Sequence, residues 1–256
     1  MSEANLLPHV VIGGAPRSGT TFLCEVLVKH PGVYIRRPFI PEPKVCLTPH
    51  PAGNHGLRER YSVVFKDAPA SAIRIEKTAN YFENDAARER LLRLLPDTKF
   101  IFILRDPVAR AYSNWLWSTA NGLETLCFTE ALAQEGRRPS PFPPERDYVR
   151  PFDYLKRSNY GILAEAWIQC LGRDRIAFFI FEKALADPAS FVEQLQRFVG
   201  VEPKSWDTLK TEKINANPLL EPELDPALEM LLRRQFEPEM RRFAKATGLD
   251  LAVWGY

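Results

Sequence analysis

The stretch His9-Val10-Val11-Ile12-Gly13, followed by Gly14-Ala15-Pro16-Arg17-Ser18-Gly19-Thr20-Thr21, sets the fold class of this 256-residue chain. The first five residues form a short apolar run of strand character. From Thr20 to His30 the apolar residues Phe22, Leu23, Val26 and Leu27 share one helical stripe, which Pro31-Gly32 stops. Between strand and helix, Gly14 and Gly19 have the G-x-x-x-x-G spacing that lets successive backbone N–H groups turn inward on an anion. The helix N-terminus adds partial positive charge, and Thr20 and Thr21 offer hydroxyls. A loop that cleaves nucleoside triphosphates carries lysine directly after its second glycine, to reach the outer phosphates. Here that position is Thr20. The cation is Arg17, inside the loop, where it can meet a phosphate and the bridging oxygen on which charge develops as a group leaves.

Outward from this loop, strands and helices alternate. Ile73–Glu76 predicts a strand, and Asn84–Leu95 a helix halted by Pro96. Lys99–Leu104 (KFIFIL) predicts a strand buried on both faces, as in a parallel sheet. Asp106 then caps a helix with Pro107 at its first position, running to about Asn121. Tyr160–Leu171 is helical up to Gly172, Ile176–Phe181 is a further buried strand, and Pro188–Val199 is a helix closed by Gly200. Asp225-Pro226 opens a last helical region, expected to break near Pro238 and to end at Gly248. The proline-rich stretches 31–51 and 139–151 are expected to be long loops. The alternation predicts an α/β fold: a P-loop-like three-layer sandwich with a central parallel sheet flanked by helices. Residues 1–256 are expected to form a single domain.

Composition narrows the function classes. Net charge is +2, from 34 basic and 32 acidic side chains, which leaves no electrostatic footprint for nucleic acid or an anionic membrane. The four cysteines (Cys24, Cys46, Cys127, Cys170) are far apart, a spacing that suits neither a disulfide framework nor a zinc site. Met1 to Pro8 has no secretory character, and no run of about 18 apolar residues occurs. The expectation is a reduced, cytoplasmic, soluble protein.

A second motif gives the loop a companion. Arg105 ends the KFIFIL strand at the carboxyl edge where parallel sheets bind ligands, and Ser113 follows two helical turns later. Arg105 can fork onto a second phosphate while Ser113 donates a hydroxyl. Val11–Thr21 together with Leu104–Ser113 resembles the paired 5′- and 3′-phosphosulfate-binding motifs of the sulfotransferase superfamily, nearest the heparan-sulfate type and its bacterial relatives. Arg17 stands where the family usually has lysine. Pro41-Glu42-Pro43-Lys44-Val45-Cys46-Leu47 resembles the segment carrying the family's general base, which makes Glu42 the match. Glu76–Phe82 (EKTANYF) is similar to the segment whose lysine reaches the active site, here Lys77. Arg157–Tyr160 with Trp167 resembles the helix beside the nucleotide. Thr211–Pro218 stands where the family closes over the 3′-phosphate, with Lys213 matching its lysine and Ile214-Asn215 replacing a Gly-Arg pair.

The resemblance implies transfer of a sulfuryl group from 3′-phosphoadenosine 5′-phosphosulfate (PAPS), leaving 3′,5′-adenosine bisphosphate (PAP). Glu42, Arg17 and Lys77 are then the catalytic candidates. Arg17, Ser18, Gly19, Thr20, Thr21, Arg105, Ser113, Tyr160, Lys213 and Asn215 are the donor-binding ones. No metal is expected, because the sulfuryl group carries one negative charge rather than two. His50 and His55 are alternative bases in the loop after Glu42, and loops 36–60 and 137–157 are expected to face the acceptor. The preferred acceptor is a small hydroxylated or amine-bearing molecule of bacterial secondary metabolism. A carbohydrate sulfotransferase, a P-loop kinase and a non-catalytic nucleotide-binding protein are the alternatives. A kinase would have lysine at position 20 and a magnesium-binding acid after a strand.

Overall fold

The computed structural model describes residues 6–209 and 224–256. In chain order the elements are β1 (Val10–Gly14), α1 (Thr20–Leu27), β2 (Val33–Ile35), α2 (Gly53–Val64), β3 (Ile73–Lys77), α3 (Asp85–Leu94), β4 (Lys99–Leu104), α4 (Pro107–Ala120) and α5 (Phe128–Ala133). They continue with α6 (Tyr160–Leu171), β5 (Ile176–Ile180), α7 (Phe181–Ala186), α8 (Pro188–Val199), α9 (Trp206–Leu209) and α10 (Pro226–Thr247). The described chain divides into two compact units, one of residues 6–104 and 170–209, the other of residues 105–169 and 224–256.

The first unit holds all five strands, which are parallel and ordered β2-β3-β1-β4-β5. The chain moves to one side of β1 to form β2 and β3, then returns to the other side for β4 and β5. The carboxyl end of β1 is therefore the point where the strand order reverses, the position at which open α/β sheets bind ligands. The loop 14–21 leaves from that point. The alternation in KFIFIL divides the faces. Ile101 and Ile103 join Phe22, Leu23, Phe191 and Leu195 in a core beneath α1 and α8. Phe102 instead meets Phe82 and Phe178 at ring-centroid distances of 4.8 and 5.5 Å on the opposite face. A sheet buried on both faces is the three-layer α/β arrangement expected. The cap of α8 also follows its sequence: Asp187 accepts from the Ser190 N–H, Pro188 stands at the first position, and Gly200 closes it at φ 92.

In the second unit, Asp106 caps α4 by accepting from the Ala109 N–H at 2.8 Å. Arg110 is fully buried and donates to Ser158 Oγ and to the Tyr154 carbonyl. Arg157 reaches Asn114 Oδ1 and the carbonyls of Val149 and Arg150. Two arginines thus fasten residues 149–158 to α4, satisfying main-chain oxygens that a coil would otherwise bury unpaired. Gly161 lets α6 approach α10: a Cβ there would lie 2.7 Å from the Glu239 carbonyl oxygen.

Three expectations are corrected. The last helix does not break at Pro238; α10 runs on to Thr247, because Phe236, Met240 and Phe243 bury one continuous face that outweighs a single lost N–H. Residues 53–60 are not loop but the start of α2, which buries Leu57 and Tyr61 on one side despite its polar composition. β2, α5 and α7 are also present, each six residues or shorter and too short for periodicity to reveal.

Candidate active site

The loop that leaves β1 has the backbone its sequence calls for. Arg17 and Gly19 are left-handed, at φ 68 and 94, so the chain turns twice before α1 begins at Thr20. Glycine is needed at 19 on two counts: its φ, and the ring of Phe181, which a Cβ would meet at 2.4 Å. At Gly14 a Cβ would lie 2.5 Å from Phe82 Cβ, so the loop's root sits hard against the segment after β3. Arg17 is exposed, whereas Ser18 is fully buried and its Oγ has no hydrogen-bond partner in the protein. A buried hydroxyl left without a partner is costly. One at the mouth of a helix N-terminus fits an anionic ligand that supplies the missing acceptor.

The β1–β3 register pairs Ile12 with Lys77 and brings the end of β3 beside this loop. Lys77 is 5% exposed, and its Nζ lies 2.7 Å from Glu42 Oε1 and 3.5 Å from Thr21 Oγ1. The Ala79 N–H donates to the other Glu42 oxygen at 3.2 Å. Carboxylate, ammonium and loop hydroxyl, picked from three separate stretches of sequence, therefore form one connected group. Glu42 is 14% exposed, so its carboxylate is not sealed from solvent.

Beneath this group the Glu76 carboxyl is buried and accepts hydroxyls from Tyr61 (2.5 Å), Tyr81 (2.7 Å) and Thr78 (2.9 Å). Burial pushes its pKa above the ordinary carboxylate value, with the three hydroxyls pulling the other way. Sequence reading missed this cluster. Tyr61 arrives from α2, and no spacing relates residue 61 to residue 76. Cys24, enclosed near Lys77, has its thiol pushed up to about 12 by burial and is no nucleophile.

The other expected residues fall as follows. In the second unit Arg105 follows directly on β4, and its Nε is buried with no hydrogen-bond partner in the protein, again an orphan that fits an anion. Its carbonyl accepts from Tyr160 (3.0 Å), whose ring is fully buried beside Phe243 and Trp254. Ser113 lies part-exposed on α4. His50 is committed to the start of α2, with Nδ1 accepting from the Ala52 N–H at 3.1 Å. His55 is 73% exposed and 3.3 Å from Glu59. Lys213 and Asn215 lie outside the described residues. Among the described residues no group of three or more His, Cys, Asp or Glu side chains is placed to hold a metal, and no helix is long and apolar enough to cross a membrane.

Residues 7–242 match the sulfotransferase domain family. Heparan sulfate glucosamine 3-O-sulfotransferase 3B1 of Homo sapiens is 25% identical over 269 residues, covering 97% of this chain and 65% of that protein. Bifunctional heparan sulfate N-deacetylase/N-sulfotransferase 4 of Mus musculus is 26% identical over 202 residues, 77% of this chain but 23% of that protein. The chain thus spans only part of the length of these curated relatives. Among solved structures, a sulfotransferase from Alicyclobacillus acidocaldarius aligns with a TM-score of 0.79 at 25% identity, covering 98% of this chain and 99% of that one. Mouse sulfotransferase SULT7A1 complexed with PAP shares the fold at a TM-score of 0.55 and 16% identity, covering 94% of this chain and 90% of that one.

Proposed function

The chain belongs to the sulfotransferase domain family, and from that premise we propose that it moves a sulfuryl group from PAPS to a hydroxyl or amine of a small-molecule acceptor. The observation that carries this reading is the connected group Glu42–Lys77–Thr21 at the mouth of the phosphate loop. It unites a proton acceptor, a cation and one loop hydroxyl within one unit, as an in-line displacement requires.

In this scheme the backbone N–H groups of 17–21, with Ser18 Oγ, Thr20 and Thr21, hold the donor's 5′-phosphate. Arg105 and Ser113 take its 3′-phosphate, with Tyr160 acting through the Arg105 carbonyl. Lys213 and Asn215 complete donor binding. Glu42 accepts the acceptor's proton as its oxygen or nitrogen bonds to sulfur, and Arg17 and Lys77 stabilise the charge gathering on the departing phosphate oxygen as the S–O bond breaks. General-base action of this kind is worth about 10²–10⁴-fold. The scheme uses no metal, since the transferring group has a single negative charge.

A small acceptor is favoured over a long anionic polymer by the net charge of only +2. The cleft beside Lys77, lined by Ile35, Arg36, Phe39, Val64 and Ile75, has room for about one water and does not by itself select an acceptor class. A carbohydrate acceptor is the second reading, favoured by the heparan sulfate relatives. We place the protein in the cytoplasm, consistent with four free cysteines, and in bacterial natural-product biosynthesis, acting as a single catalytic domain. The test is transfer of labelled sulfate from PAPS to panels of small alcohols, amines and oligosaccharides. Transfer to the small panel is expected. Transfer to oligosaccharides alone would replace the acceptor class, and donor cleavage by none would refute the enzyme.

A further inference from the structure

The Glu42–Lys77 pair has a support to which the scheme gives no role. The Glu76 carboxyl is 1% exposed; its Oε1 takes the hydroxyls of Tyr81 and Thr78, and its Oε2 that of Tyr61. A hydroxyl has one proton, so each of these three, having donated to Glu76, presents its oxygen outward as an acceptor. Two of those oxygens are filled by the main chain of one short segment. The Lys44 N–H donates to Thr78 Oγ1 at 3.0 Å, and the Cys46 N–H donates to the Tyr81 hydroxyl at 3.0 Å.

That segment begins two residues after Glu42. Lys44 holds φ 54, a left-handed turn that a lysine keeps only when its surroundings fix it. The turn separates Glu42 from the buried Val45-Cys46-Leu47 run. Glu42 is thus held at both ends: its carboxylate lies between Lys77 Nζ and the Ala79 N–H, and its chain is tied down through Lys44 and Cys46. Both sets of anchors come from residues 76–81. Tyr61 differs from its two neighbours: it donates to the same carboxylate, but its other contact is Cys46 Sγ at 3.8 Å rather than a main-chain N–H.

We infer that Thr78 and Tyr81, with their hydroxyls oriented by buried Glu76, are positioning residues for the general base Glu42. The inference rests on Glu42 being that base. Its polarity is specific: the carboxylate must accept for the hydroxyls to accept in turn. Glutamine can reproduce this, with its oxygen facing Thr78 and Tyr81 and its amide donating to Tyr61, whereas leucine cannot.

The test is a set of single and double variants assayed for kcat, for KM and for PAP binding. Thr78→Val and Tyr81→Phe are expected to lower kcat about 10–100-fold, the cost of an ångström-scale misplacement, with PAP affinity unchanged. Tyr61→Phe is the matched control: it lowers thermal stability and keeps kcat. In a Glu42→Gln background Thr78→Val should cost no further turnover, because the group it positions is already gone. Glu76→Gln should restore most of the turnover lost in Glu76→Leu. If Glu42→Gln is slow but Thr78→Val and Tyr81→Phe retain wild-type kcat, or if Thr78→Val multiplies the Glu42→Gln loss, this inference falls and the base assignment stands. If Glu42→Gln itself turns over normally, both fall together.

Discussion

Replacing Gly19 by alanine probes the turn on which the phosphate loop depends. Two costs are visible. At φ 94 an L-residue is strained, by about 1–2 kcal/mol for a left-handed conformation. The added Cβ would also lie 2.4 and 2.6 Å from two atoms of the Phe181 ring, and overpacking of this sort costs about 1–3 kcal/mol. Together these amount to about 2–5 kcal/mol, or a fall in Tm of about 4–20 °C for a chain of this size. The two parts can be separated. All three of the nearest atoms to the new Cβ lie beyond Cβ of Phe181, so Phe181→Ala opens the space without relaxing φ. Differential scanning calorimetry of the wild type, both single variants and the double variant forms a cycle. Gly19→Ala should cost only about 1–2 kcal/mol in the Phe181→Ala background. An equal cost in both backgrounds would refute the steric argument, and no cost in either would refute the geometry of the turn.

Other expectations follow from the same structure. Glu42→Gln should reduce turnover by about 10²–10⁴-fold while leaving PAP binding intact; near-normal turnover would remove Glu42 as base. In the second unit burial pushes the Glu124 carboxyl up, but the Arg138 guanidinium, the Tyr154 hydroxyl and the Leu126 N–H outweigh it and hold the pKa at about 2. A folded pKa below the ordinary 4.5 means that Glu124 stabilises fully above that value and loses its contribution as pH falls from 4.5 towards 2. The contribution is at most about 3 kcal/mol, so the gap between denaturant melts of wild type and Glu124→Gln should be full at pH 6 and shrink steadily below pH 4.5; a constant gap would contradict this. Cys127 and Cys170 are exposed, while burial pushes Cys24 and Cys46 to about 12. A thiol reagent should therefore titrate two cysteines quickly and the other two only on unfolding, and four fast thiols would count against the packing around Glu76.

Much of this was legible in the sequence, for identifiable reasons. Buried parallel strands such as KFIFIL are apolar on both faces, and helices with Asp-Pro starts and glycine ends announce their own limits, as α4 and α8 do. The loop was readable because the glycine spacing records a backbone requirement rather than a contact. Likeness to a family points to Glu42 and Lys77, but their 2.7 Å pairing depends on how the loop after β2 is tied to Thr78, Ala79 and Tyr81, which the sequence does not state. The Glu76 cluster was less visible still. Its members are ordinary residues whose meaning comes from burial around one carboxylate. A proline signals a local break, whereas the helix runs through Pro238 because the buried face of Leu232, Phe236, Met240 and Phe243 becomes visible only in the packed structure.

Isothermal titration of the protein with PAP and, separately, with ATP and magnesium distinguishes a loop at Gly14–Thr21 that serves a sulfuryl donor from one that serves a nucleoside triphosphate. PAP should bind, ATP with magnesium should not compete with it, and Arg17→Ala should weaken PAP about 10–100-fold, as expected for losing a hydrogen bond to a charged group. Binding of ATP with magnesium and none of PAP would make the loop a nucleoside triphosphate site instead.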